Sequence, residues 1–154
     1  MNQKKHKFVR LCQSGNLEFY GIDQQADFGL PLFESGVSAG FPSPAEDYME
    51  IRLDLNKELI QHPAATFYVR VRGNSMQDAG IYDNDILIVD RALEPKNKDI
   101  VISILDGDFV VKRIIKKGGK LFLQAENPEF KTIEIKEDNE FLIWGVVSYV
   151  IHKP

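Results

Sequence analysis

Ser75 and Lys112 are the residues of this sequence whose types and setting point most directly to covalent chemistry. Ser75 sits in Gly73-Asn74-Ser75-Met76, where a glycine lets the chain turn sharply and present a hydroxyl. Lys112 follows 37 residues later in Phe109-Val110-Val111-Lys112-Arg113-Ile114-Ile115, a run that reads as a strand. Alternation puts Val110, Lys112 and Ile114 on one face, so the lysine has apolar neighbours on both sides. At the ordinary lysine pKa only about 0.04% of the amine is neutral at pH 7. Burial disfavours the ammonium; a pKa brought down to roughly 7–8 would raise that fraction on the order of a hundredfold or more. A neutral lysine can take the proton of a serine hydroxyl, a known variant of the serine–histidine arrangement. The pair alone does not separate this reading from a turn serine beside a solvated strand lysine. The second glycine of a nucleophile elbow is missing after Ser75, which argues against the commoner serine hydrolase motif.

The elements that must position the pair are mostly strands. Thr66–Arg72, Asp85–Asp90, Asp99–Leu105, Phe109–Ile115, Lys120–Ala125, Thr132–Ile135 and Glu140–Ile151 carry strand patterns. Asp106-Gly107 and Gly118-Gly119 between them read as hairpin turns. Short strands punctuated by glycine predict a mainly β, curved, barrel-like fold, with a short helix after Ser75. Trp144, Phe122 and Phe141 read as core. Between residues 41 and 62, Ser43, Pro44 and Glu46 fit a helix start, and Tyr48, Ile51, Leu55 and Leu59 fall on one helical face. Asp54 could instead cap a second, shorter helix after an extended segment; the pattern leaves both open. His62-Pro63 ends the element either way, with His62 as a helix-end residue. Residues 1–40 mix short apolar clusters with glycine and polar residues and read as an arm that lies on something, with Leu30, Leu32 and Phe33 as its apolar anchors.

Composition fits one globular domain of 154 residues, 44% hydrophobic and 27% charged. The net charge of −4 argues against a general nucleic-acid-binding surface. Residues 1–39 hold four basic and four acidic side chains, so 40–154, with 15 and 19, carry the whole imbalance. Lys4, Lys5, Lys7 and Arg10 read as a solvated basic start. The one cysteine, Cys12, excludes an intrachain disulfide, fits a reducing cytoplasm, and has no histidine motif to activate it. No apolar run is long enough to span a membrane. His6, His62 and His152 are scattered and make no metal site, and no cofactor is implied.

A third element joins the pair to a known family. Ala39-Gly40 lies inside Leu30-Pro31-Leu32-Phe33-Glu34-Ser35-Gly36-Val37-Ser38-Ala39-Gly40-Phe41-Pro42-Ser43-Pro44. With Gly73-Asn74-Ser75-Met76, Ile81-Tyr82-Asp83-Asn84-Asp85-Ile86-Leu87-Ile88-Val89-Asp90 and Phe109-Val110-Val111-Lys112, it resembles the LexA/UmuD-like self-cleaving serine-lysine peptidases. Phe41-Pro42-Ser43-Pro44-Ala45-Glu46-Asp47-Tyr48 points to the UmuD branch rather than to the repressors. The resemblance runs from Leu30 to His152, about four fifths of the chain. It implies the C-terminal-domain fold of that family behind an N-terminal arm, with 1–39 as a cleavable arm and 40–154 as the peptidase domain. Ser75 becomes the nucleophile, Lys112 the general base, and Ala39-Gly40 the bond cut. It further implies an SOS mutagenesis protein of the cytoplasm: a homodimer, cleavage stimulated by RecA filaments on single-stranded DNA, and a trimmed form that joins a UmuC-like Y-family polymerase in translesion synthesis. No membrane and no sequence-specific DNA binding are expected. The alternatives are a non-enzymatic polymerase accessory module and a LexA-type repressor fragment; the first would dispense with Ser75 or Lys112, the second calls for a basic recognition helix ahead of the cleavage site. Two departures stand out: residues 1–29 match nothing in the family, and Lys98 precedes Asp99 where relatives tend to carry glycine.

Overall fold

The computed structural model describes residues 9–21, 30–33 and 50–154. All seven expected strands are present, as β5 (Thr66–Val71), β6 (Ile86–Asp90), β7 (Ile100–Leu105), β8 (Asp108–Lys117), β9 (Lys120–Gln124), β10 (Ile133–Ile135) and β11 (Phe141–Ile151). The stretch read as an arm contributes three more: β1 (Val9–Ser14), β2 (Leu17–Gly21) and β3 (Leu30–Phe33). Strand β4 (Glu50–Leu53) completes the set.

Nine strands form one antiparallel sheet in the order β1-β2-β5-β6-β11-β7-β8-β9-β10. Both expected turns close hairpins with the left-handed backbone a two-residue loop requires: Asp106 and Gly107 (φ 49° and 90°) join β7 to β8, and Gly118 and Gly119 (60° and 72°) join β8 to β9. The sheet is strongly curved. Phe19 on β2 and Phe109 on β8 are five strand spacings apart in sheet order, about 24 Å if the sheet were flat. Their ring centroids lie 4.7 Å apart. Two irregularities in β11, between Ile143 and Gly145 and between Val147 and Tyr149, supply local bends.

The curl encloses the main core: Leu17, Phe19, Val69, Val71, Met76, Ile81, Leu87, Val89, Ile102 and Val111. Trp144 packs against it, edge-on to Phe19 at 5.0 Å, while Phe122 and Phe141 are half-buried. The opposite faces of β7, β8 and β11 build a second cluster from Val101, Ile114 and Val146.

Residues 24–61 form a separate unit. In it β3 pairs antiparallel with β4, from Leu30 opposite Leu53 to Phe33 opposite Glu50. Helix α1 (Leu55–Leu59) follows, its first turn capped by the Asp54 carboxylate, which accepts from the Asn56 N–H at 3.0 Å. Of the two arrangements the sequence left open, the extended segment followed by a short helix is the one present. The alternative start at Ser43, Pro44 and Glu46 lies outside the described residues. His62 precedes a single 3-10 turn (Pro63–Ala65) rather than ending a helix, and its Nδ1 lies 2.7 Å from the Asp90 carboxylate. Among the described residues no helix is long and apolar enough to cross a membrane.

Candidate active site

Ser75 stands on the connection between β5 and β6. Gly73 opens the turn in a left-handed conformation (φ 98°) that a side chain would strain. Its N–H donates to Asp83 Oδ1 at 2.8 Å, tying the two arms of the connection together. Met76, 2% exposed, plugs the loop into the main core. The short helix expected after Ser75 is a 3-10 turn (Gln77–Ala79) ended by left-handed Gly80. The Met76 carbonyl accepts from Ala79 N and Ile81 N, at 3.1 and 3.2 Å. Ser75 is thus held between a backbone clamp before it and a core anchor after it.

Lys112 comes from the middle of β8. The ladder puts it opposite Val101, while Val111 pairs with Ile102 and faces the main core. Val101 and Ile114 are both fully buried, so the lysine stem rises from an apolar face, as alternation predicts. Lys112 Nζ donates to Ser75 Oγ at 3.0 Å and to the Val111 carbonyl at 3.1 Å. The Phe130 ring lies beside it, 5.9 Å from Nζ to the centroid. Burial pushes the Lys112 pKa below the ordinary lysine value. The fold therefore brings the two residues into hydrogen-bond contact and gives the amine a reason to be neutral.

A residue that the motif reading missed joins the two halves. Asn127 is 3% exposed, and its Nδ2 donates to the Asn74 carbonyl at 2.9 Å, next to the nucleophile position. Its Oδ1 accepts from Glu129 N at 2.9 Å, and its own carbonyl accepts from Phe130 N at 3.1 Å. One side chain thus braces the Ser75 loop and closes the turn that carries Phe130 over Lys112. The adjoining Glu126 carbonyl accepts from Asp78 N at 2.8 Å, and the Glu126 carboxylate pairs with Arg113 on β8. Asn127-Pro128 signals a turn, but its partner is 53 residues away in sequence, so local pattern gives the turn and not the brace.

The other singled-out residues stand in different roles. His152 Nδ1 meets the buried Asp85 carboxylate at 2.7 Å, and His62 meets Asp90, so each described histidine has its own acid. Cys12 is exposed on β1. Ala39 and Gly40 lie outside the described residues. Lys98 has a left-handed backbone (φ 76°), a conformation that glycine adopts without strain.

A serine hydroxyl against a desolvated lysine, on a curved β scaffold, has the chemistry of a serine-lysine hydrolase. The Peptidase S24-like family model matches residues 31–148. The protein ImpA of Salmonella typhimurium is 47% identical over 124 residues, covering 80% of this chain and 83% of that protein. The protein MucA of Escherichia coli is 40% identical over 121 residues, 78% of this chain and 82% of that one. The LexA repressor of Ectopseudomonas mendocina is 41% identical over 128 residues, 82% of this chain and 62% of the repressor. The chain belongs to the Peptidase S24-like family, whose members are self-cleaving serine peptidases. The motif resemblance to the LexA/UmuD-like peptidases holds at the level of the family.

Proposed function

We propose that Ser75 and Lys112 form the catalytic dyad of a self-peptidase that cuts the bond between Ala39 and Gly40, separating residues 1–39 from 40–154. The observation that carries this reading is the 3.0 Å contact between Lys112 Nζ and Ser75 Oγ at a lysine whose pKa burial lowers. When Lys112 loses its ammonium proton the contact reverses. The hydroxyl then donates to the amine, which takes the proton as Oγ attacks the Ala39 carbonyl carbon. Backbone N–H groups of the loop around Ser75 are the donors for the oxyanion that forms. Lys112 returns the proton to the Gly40 nitrogen as the peptide bond breaks, leaving an ester between Ser75 and Ala39. Water, deprotonated by Lys112, hydrolyses that ester. Ala39 and Gly40 suit the step because both are small, and a tethered substrate needs no deep specificity pocket.

From the UmuD resemblance we carry over the setting. The protein acts in the cytoplasm as a homodimer, RecA filaments on single-stranded DNA stimulate the cut, and the cut form serves a UmuC-like Y-family polymerase in translesion synthesis. The test of the dyad is a mutational set assayed for cleavage at alkaline pH. Ser75→Ala and Lys112→Ala should each abolish the cut, with the double variant no worse than either, because the pair works as a unit. Lys112→Arg should fail as well, since a guanidinium does not become neutral at accessible pH. Continued cutting at Ala39-Gly40 by any folded member of the set would assign the chemistry to another group.

A further inference from the structure

Residues 9–21 fall on the N-terminal side of the proposed cut, yet they belong to the same structural unit as the dyad. We propose that this hairpin stays bound after the chain is cut, so that the product is a nicked two-piece protein rather than one stripped of residues 1–39. The proposal rests on the Ala39-Gly40 reading for where the nick falls.

The hold is a strand pairing with a core behind it. β2 pairs with β5 from Leu17 opposite Val71 to Tyr20 opposite Tyr68. Leu17 and Phe19 are 3% and 2% exposed, as buried as the β5 residues they cover. Phe19 packs between the rings of Phe109 and Trp144, at 4.7 and 5.0 Å. The hairpin turn adds a polar contact: the Asn16 carbonyl accepts from Arg72 N at 2.9 Å, and Glu18 meets the Arg72 guanidinium at 3.4 Å. Cutting a peptide bond at 39/40 removes none of these contacts. It removes only the tether, and with it the high effective concentration of the hairpin. Departure of the hairpin would bare the edge of β5 and expose Val69 and Val71, now 0% and 6% exposed.

Retention also bears on the site. The Asn16 amide lies beside Gly73, where a Cβ added to the glycine would meet Nδ2 at 3.8 Å. The hairpin turn therefore flanks the nucleophile loop two residues before Ser75. In the nicked protein that flank stays in place and the β5 edge stays covered, so a partner of the cut form does not bind by adding a strand to β5.

The lone cysteine makes the test direct. Cys12 is exposed on β1, so a maleimide dye there reports the fate of residues 1–39. One arm uses labelled protein that has cut itself at alkaline pH. The other uses the Ser75→Ala chain with a site-specific protease sequence in place of residues 36–41, nicked by that protease. Denaturing electrophoresis scores the cut, and gel filtration at neutral pH scores retention. We expect the dye to elute with the large fragment in both arms. Dye eluting alone in the second arm, with the large fragment still folded, overturns the proposal. No self-cutting in the first arm, with retention in the second, refutes the cleavage assignment and upholds the retention. Phe19→Ala should raise the dissociation constant of the nicked form on the order of a hundredfold or more. Leu17→Ala serves as the milder variant if Phe19→Ala does not fold, and unchanged retention in a folded variant of either kind also overturns the proposal.

Discussion

Replacing Asn127 with alanine should slow self-cleavage far more than it unfolds the protein. The side chain is 3% exposed and makes two hydrogen bonds of 2.9 Å, one to the Asn74 carbonyl and one from Glu129 N. A net value of about 1 kcal/mol for each gives a stability loss of about 2 kcal/mol. For a chain of this size that corresponds to a fall in Tm of about 4–8 °C, which leaves the fold intact at 25 °C. The effect on chemistry is larger because the brace sets the position of Ser75. A displacement of about 1 Å from the 3.0 Å contact with Lys112 can cost on the order of a hundredfold in rate. Asn127→Asp separates the two functions. It keeps an acceptor for Glu129 N but sets a carboxylate against the Asn74 carbonyl, so it should lose cleavage while the turn carrying Phe130 persists. The assay is the first-order rate of cutting at alkaline pH, read beside Tm measured in the Ser75→Ala background. Wild-type cutting by an Asn127→Ala protein with a lowered Tm would refute the brace.

Phe130→Ala should move the pH midpoint of cleavage upward. Burial is the cause that lowers the Lys112 pKa, and a ring at 5.9 Å is too distant for a strong cation–π contact to outweigh the water its loss admits; a downward shift would reverse that ranking. Gly145→Ala should destabilise the fold by about 1–3 kcal/mol, because the new Cβ would meet Val89 Cγ1 at 2.7 Å in a fully buried position; an unchanged Tm would mean that the β11 irregularity absorbs the methyl. Lys98→Gly should stabilise the protein slightly, since relieving a left-handed side-chain residue returns about 1–2 kcal/mol while the freer unfolded chain takes back about 0.4–1 kcal/mol; a lower Tm would show that the lysine stem contributes packing there.

The parts of this molecule that were legible in the sequence are those fixed by local pattern. Asp106-Gly107 and Gly118-Gly119 mark hairpins because few residues tolerate positive φ at both turn positions. The alternation around Lys112 places its side chain on an apolar face because strand geometry has a period of two. The β1–β2 hairpin carried the same kind of signal, with Gly15-Asn16 between two short runs and Leu17 and Phe19 alternating with Glu18 and Tyr20. Its runs are brief and follow a basic start, so they read as an arm. What was not legible depends on the curvature of the sheet and on contacts between distant loops. Phe19 meets Phe109 only because the strands between them bend, and Asn127 reaches Asn74 across 53 residues. No local periodicity encodes either contact.

The central claim is that Ser75 becomes a nucleophile when Lys112 becomes neutral, and that the bond attacked is Ala39-Gly40. The measurement that tests it most directly is intact mass of the purified chain, under denaturing conditions, over a series of pH values without any partner. Burial holds the Lys112 pKa below that of an ordinary lysine, so the neutral fraction and the rate should climb with pH and level off before the ordinary lysine range is passed. The account predicts two masses, those of residues 1–39 and 40–154, appearing together with that profile. An uncut chain at every pH, or masses that place the cut at another bond, would contradict it.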